Sequence, residues 1–309
     1  MPKSEAQQCA FYQKNHQINV ISATFGLGSP IKGCENGPLQ LATRLQQRHP
    51  EFEFVATDWL FKWAQRQTKD LSQAFIAFSK QHAASVNDAI ENNDRFIVLG
   101  GDHSIAASTW PAVIGSGYQD LGLLWLDAHL DAHTPATTPS GNLHGMPLAL
   151  LLGHGEPRLL NAMGGHVINP KSTVLYGVRS FEKDEFLLLQ SLGVRVYFMD
   201  EIKQRGFELT LEEALSIVAH PACGFGISLD LDVFDPVFVS GVSTPAKHGL
   251  EPTQFIHFIQ QWSPKHPMIG LEIAEYNPLL DQGEKTGRLV EELIECFIPY
   301  LSKGKNVAD

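Results

Sequence analysis

Leu121-Gly-Leu-Leu-Trp-Leu126, followed at once by Asp127-Ala-His129-Leu-Asp131, is the stretch on which the fold turns. An almost unbroken apolar run of this length reads as a strand covered on both faces, the kind a parallel sheet contains. Carboxylates and an imidazole at the mouth of such a strand are costly unless a cation or a hydrogen-bond donor compensates them. The two-residue spacing of Asp127, His129 and Asp131 predicts an extended backbone that points all three the same way.

The pattern repeats. Phe96–Gly100 runs into Gly101-Asp102-His103, Gly226–Leu231 runs into Asp230-Leu-Asp232 at its end, and Met268–Ile273 precedes Glu275-Tyr-Asn-Pro278. Further apolar runs lie at Ile18–Ala23, Phe52–Val55, Thr173–Gly177 and Val194–Phe198. Between them, Pro38–Arg48, Leu71–Asn92 and Glu284–Leu301 carry helical spacing. Thr210 and Glu213 read as a capping box ahead of Ala214, Leu215, Ile217 and Val218. Met146 with Leu148–Leu152 reads as a short packed helix. The βαβ rhythm predicts an α/β fold, a mainly parallel sheet of about eight strands with helices on both faces. Ligands of such sheets collect at the carboxyl ends of strands, where these acidic and imidazole residues fall. His103, Asp127, His129, Asp131, Asp230 and Asp232 supply oxygen and nitrogen ligands without a thiolate, which suits a pair of divalent metals. Four aspartates carry a charge of about −4, near balance with two divalent ions.

The 309 residues predict one domain spanning 1–309, since no Pro/Ser-rich linker or repeat interrupts them, with polar tails at Met1–Gln17 and Lys303–Asp309. The polar start lacks the apolar core of a secretory signal, and no stretch approaches the roughly 18 apolar residues of a membrane span. Cys9, Cys34, Cys223 and Cys296 lie far apart, as free thiols in a reducing cytoplasm would. A net charge of −11 argues against nucleic acid and fits a cationic small substrate, although solubility accounts for it equally well. Gly26, Gly28 and Gly33 read as a turn, because Pro30 interrupts where a dinucleotide-binding helix should open. The long irregular stretch Thr134–Leu143, between one cluster and His144, reads as functional. His144, in Ser140-Gly-Asn-Leu-His144, suits a proton carrier, and Glu275 a carboxylate aimed at a cation over the sheet mouth.

From about Val20 to Leu301 the chain resembles the ureohydrolase family of arginase, agmatinase, formimidoylglutamase and relatives. The resemblance rests on Gly33-Cys-Glu-Asn-Gly-Pro38, Gly100-Gly-Asp-His-Ser104, Asp127-Ala-His-Leu-Asp131, Ser228-Leu-Asp-Leu-Asp232 with Asp235-Pro236, and Glu275-Tyr-Asn-Pro278. It implies a three-layer arginase-like fold and two manganese ions on His103, Asp127, His129, Asp131, Asp230 and Asp232. It further implies attack of a metal-bridging hydroxide on a guanidinium carbon, with Asp131, His144 and Glu275 as catalytic groups. Thr134-Pro-Ala-Thr-Thr-Pro-Ser-Gly-Asn-Leu-His-Gly145 is most similar to the arginase branch. By position, Thr138, Ser140 and Asn142 would meet an α-carboxylate, Glu182 and Glu185 an α-ammonium, and Thr244 and Glu275 the guanidinium. His133 stands where arginases commonly carry Asn, and Glu182 where they commonly carry Asp. Both departures touch the amino-acid end, so agmatinase, guanidinobutyrase and formimidoylglutamase activities remain as alternatives. A single-zinc deacetylase-like enzyme is the alternative outside the family. The resemblance implies a small guanidino substrate, no nucleic acid or membrane partner, and a homo-oligomer, trimer or hexamer.

Overall fold

A computed structural model describes residues 17–56, 70–92, 95–220 and 223–302, so of the polar tails expected at 1–17 and 303–309 all but Gln17 lies outside the described residues. Eight strands are β1 (Ile18–Ala23), β2 (Glu53–Ala56), β3 (Arg95–Gly100), β4 (Gly122–Leu126), β5 (Thr173–Val178), β6 (Arg195–Phe198), β7 (Phe225–Asp230) and β8 (Met268–Ala274). They form one sheet in the order β2-β1-β3-β8-β7-β4-β5-β6, every ladder parallel. Six of the eight are buried along their whole length, and only the edge strands β2 and β6 show exposed or half-buried positions. That is why the interior strands read as continuous apolar runs.

The connecting helices are α1 (Gly37–Arg48), α2 (Leu71–Glu91), α3 (Ala106–Gly115), α4 (Pro147–Leu151), α5 (Pro157–Ala162), α6 (Lys183–Leu192), α7 (Met199–Arg205), α8 (Phe207–Val218), α9 (Pro252–Gln261) and α10 (Lys285–Ser302). Apolar side chains of α1, α7, α8, α9 and α10 pack on one sheet face. Those of α2 to α6 pack on the other. The sheet is thus the middle of three layers, each outer layer burying its apolar stripe against it. Among the described residues, no helix is long and apolar enough to cross a membrane.

One local expectation fails. The chain enters α8 at Gly206, four residues before Thr210, and the Thr210 hydroxyl donates back to the Gly206 carbonyl at 2.8 Å. Thr210 is therefore an interior helical residue, buried beside the Tyr176 hydroxyl 2.9 Å away, and not a cap. A Thr-x-x-Glu spacing inside a helix mimics a capping box because threonine can satisfy a carbonyl of the preceding turn.

Four neighbouring strands, β3, β8, β7 and β4, deliver the chemistry-bearing motifs to one edge of the sheet. Their ends are fixed by tight backbone contacts. The Gly101 amide donates to the Ala23 carbonyl and its own carbonyl accepts from the Glu275 amide, both at 2.8 Å. A Cβ on Gly101 would lie 1.8 Å from the Phe25 carbonyl oxygen. Gly101→Ala is therefore expected to lower stability by about 3 kcal/mol, since neither backbone can yield without opening the sheet edge. Urea unfolding checks this, and an unchanged midpoint would remove the close approach as a constraint.

Candidate metal centre and substrate pocket

The chain does not stay extended after β4, as the two-residue spacing suggested. Asp127 turns its carboxylate back to accept from the His129 amide at 2.7 Å, and Asp131 adopts a positive φ of 50°. Asp230 does the same after β7, accepting from the Asp232 amide at 2.9 Å within a short 3-10 turn. Convergence arises from these side-chain turns, not from the alternation of a strand.

The result is two groups of donors joined by one residue. His103, Asp127 and Asp230 form the first, and Asp127, His129 and Asp232 the second. His103 Nδ1 lies 3.1 Å from Asp127 Oδ2, 3.1 Å from Asp131 Oδ2 and 3.3 Å from Asp230 Oδ2. His129 Nδ1 lies 3.5 Å from Asp127 Oδ1 and 3.0 Å from Asp232 Oδ2. Asp127 thus gives one oxygen to each group. One ring nitrogen carries at most one proton, so it cannot satisfy three carboxylate oxygens by donation. Asp131 Oδ2 in fact has no donor aimed at it although it is buried. A cation in that space would satisfy all of them, so the donor set fits divalent ions.

The charges agree with that reading. Burial, then the Asp127 charge, raises the Asp131 carboxyl to about 7. Burial, then Asp232 and Asp127, pushes Asp230 well above the usual carboxylate range. Burial disfavours a charged His103 ring, but Asp127, Asp131 and Asp230 outweigh it and hold the imidazole well above its ordinary value. Burial also opposes ionisation of Asp127, yet His103 and His129 hold it below the ordinary range. Protons here do the work that cations would do better.

Glu275 leaves β8 with a positive φ of 67°. Its Oε1 accepts from the His103 amide at 3.0 Å and lies 3.1 Å from His144 Nδ1. Its Oε2 is buried without a donor. Burial works against a charged His144, but Glu275 outweighs it and lifts the imidazole to about 9. Thr244 Oγ1 donates to Asp232 Oδ2 at 3.2 Å, which places it at the second group.

A third cluster lies further out. His133 Nε2 is 3.1 Å from Glu182 Oε2 and 3.4 Å from Glu185 Oε2. Glu185 is buried and already accepts from the Ala132 and Glu182 amides, both at 3.0 Å, so it supports its neighbours and offers little to a ligand. Glu182 is the open member, with its side chain 61% exposed. The loop from His133 to His144 is closed at its neck by a bond from the His133 amide to the Gly145 carbonyl at 3.0 Å. Within it, Thr138 Oγ1 accepts from the Gly141 amide at 3.0 Å and Ser140 Oγ from the Asn142 amide at 3.2 Å. Both hydroxyls keep their own protons to give, Ser140 to the outside.

Several supporting groups escaped the sequence reading. Asp102 is fully buried, and its Oδ2 accepts from the Gly28 amide at 2.6 Å. A side chain at Gly28 would strike that carboxylate, which explains the glycine in the turn after β1. Arg179 sends its guanidinium to the carbonyls of Gly177, Asp232, Phe234, Ala246 and Lys247, pinning the segment that bears Asp232. Trp125 Nε1 donates to Asp127 Oδ2 at 2.9 Å. A charged residue beside a motif or at the end of an apolar run was the available signal for Asp102 and Arg179, and none marked Trp125.

The chain has relatives of known identity. The sequence model described as the Arginase family matches residues 16–299. The chain is 34% identical over 290 residues to an arginase of Bacillus subtilis, covering 91% of this chain and 97% of that one. It is 32% identical over 290 residues to an arginase of Bacillus caldovelox, covering 90% and 96%. Among solved structures, arginase from Bacillus subtilis superimposes with a TM-score of 0.79 at 32% identity, over 94% of this chain and all of that one.

Proposed function

This chain belongs to the arginase family, and from that premise we propose that it hydrolyses L-arginine to L-ornithine and urea. As a member it is a metal-dependent hydrolase of linear amidine C–N bonds. The observation that carries the reading is the division of Asp127 between two donor groups, with three carboxylate oxygens facing a single His103 nitrogen.

His103, Asp127, Asp131 and Asp230 would hold one divalent ion, and Asp127, His129 and Asp232 the other, manganese in the cell. Two such ions would supply a water of lowered pKa, able to attack near neutral pH. The guanidinium is a resonance-stabilised cation and must be held flat against that water. Glu275, with a buried oxygen lacking any donor, takes the guanidinium nitrogens, and Thr244 flanks it. A C–O bond forms at the guanidinium carbon and the C–N bond to the side-chain nitrogen breaks. Asp131, at the edge of the His103 group, would accept the proton of the attacking water and hand it to the leaving amine. His144, only partly covered and held protonated by Glu275, exchanges protons with solvent.

At the far end, Glu182 receives the α-ammonium, with Glu185 fixing its position. Thr138, Ser140 and Asn142 donate to the α-carboxylate, and His133 orients Glu182. Agmatine has no carboxylate and would leave this loop unpaired, which disfavours it. We place the enzyme in the cytoplasm as one catalytic domain. We also assign it a homo-oligomeric state, trimer or hexamer. Exposed Val237, Phe238, Leu279 and Leu280 support it, on loops tied together by the Asn277–Gly241 and Gln282–Ser240 hydrogen bonds.

Metal analysis after manganese loading should approach two ions per chain. Asp127→Asn should depress uptake at both positions, whereas His103→Asn should spare the His129 group. A fully active chain holding a single ion would falsify the binuclear reading.

Urea or amine release with arginine, agmatine, guanidinobutyrate and formimidoylglutamate tests the substrate. Arginine should exceed agmatine by at least about tenfold in kcat/KM, roughly 1.4 kcal/mol, and Ser140→Ala should narrow the gap. Agmatine or a formimino compound in the lead would overturn the assignment to arginine.

Light scattering on the purified chain should give a mass near three or six times 34.1 kDa. A monomer at micromolar concentration would sink the oligomer.

A further inference from the structure

Glu272 stands inside β8, fully buried, and the catalytic reading makes no use of it. A buried carboxylate costs several kcal/mol unless its oxygens are well supplied with donors. This one is supplied three times. Its Oε1 accepts from Ser228 Oγ at 2.7 Å and from Trp110 Nε1 at 3.2 Å, and its Oε2 accepts from Thr109 Oγ1. Neither lysine nor arginine contributes among the described residues. Ser228 sits directly opposite Glu272 in the β7–β8 register and two residues before Asp230. Thr109 and Trp110 lie on α3, the helix that His103's own turn leads into.

Counting protons gives this network a direction. The Trp110 indole only donates. Ser228 and Thr109 have one hydroxyl proton each, and both are committed to Glu272. The Ser228 oxygen therefore accepts, and the group in reach is His103 Nε2 at 3.0 Å. The Thr109 oxygen likewise accepts from His82 Nε2 at 2.8 Å, a fully buried ring on α2. His103 thus keeps its hydrogen on Nε2, which leaves Nδ1, the nitrogen facing Asp127, Asp131 and Asp230, as the one a cation could take in place of a proton. Stacking on Trp125, with ring centroids 4.2 Å apart, holds the ring plane.

We propose that Glu272 is a positioning residue, a buried anion that fixes the ring orientation and tautomer of His103 through Ser228 and so sets the cation affinity of the His103 group alone. Thr109 and Trp110 hold the anion in place, with His82 closing the outer end. The inference rests on reading that group as a cation site. Such outer partners raise the basicity of a ligating imidazole and typically alter metal affinity by about 10- to 100-fold.

The test is calorimetric titration of the metal-stripped full chain with manganese, using His103→Asn and His129→Asn to assign the two binding steps. Ser228→Ala removes the link while leaving Glu272 its other two donors. Glu272→Gln removes the charge at nearly constant shape. Both should weaken the step lost in His103→Asn by about 10- to 100-fold and leave the other within about twofold. Thr109→Val should weaken the same step, by less. Equal weakening of both steps overturns the proposal. So does unchanged affinity accompanied only by a lower melting temperature of the stripped protein, which would make the network mere packing. If Glu272→Gln does not fold, Ser228→Ala decides. A parent chain that takes up no manganese would overturn the metal reading itself, an outcome distinct from the loss of the relay alone.

Discussion

Mutual repulsion among carboxylates, held where water cannot screen them, is the constraint on which this structure depends. β3, β8, β7 and β4 are neighbours, and each sends an acidic or imidazole side chain to the same edge. Asp127, Asp131, Asp230, Asp232 and Glu275 are all buried there. Such an assembly folds only if its electrostatics are compensated, and protons on His103, Asp131 and Asp230 are a poor substitute for divalent cations. Because Asp127 serves both groups, the two cation positions are energetically linked, and filling one alters the field at the other. The close glycine contacts, the Arg179 fork and the Glu272 network are what hold like charges at fixed positions against that repulsion.

The pocket has two ends of different character. At the metal end the carboxylates are rigid, deeply covered and fixed by backbone donors. At the outer end Glu182 is largely exposed, and its partners are a histidine and a loop closed at one neck. In the function proposed, chemistry is thus built on the sheet and recognition on a connection outside it. His133 and Glu182, the two departures from the usual arginase pattern, both fall in the outer part.

Much of this was legible in the amino-acid sequence because the signals were local. Each strand is an apolar run long enough to read, and β1 falls on Ile18–Ala23 as expected while the others shift by a residue or so. That the acidic motifs sit at strand ends was equally plain, and strand ends on a parallel sheet share one edge. The route by which Asp127, His129 and Asp131 converge was not, because it depends on Asx-type turns and a positive φ that apolar periodicity does not encode. Nor was the role of Ser228 and Glu272. They are separated by 44 residues and meet only because β7 and β8 are adjacent in register. Strand order is set by how whole layers pack, a property of no single segment. The false cap at Thr210 fails for the converse reason, since a short pattern there is outweighed by the chain entering the helix one turn earlier.

Asp131 and Glu275 both occupy backbone conformations that side chains of this chirality resist, and glutamate has less excuse for it than aspartate. Each such residue costs on the order of 1–3 kcal/mol relative to a relaxed backbone. Glycine at either position would relieve the strain and remove a buried charge, but at Glu275 it would also leave the buried His103 amide without its acceptor. The two residues to which we assign the most direct action on the substrate are thus held in place against a local backbone cost.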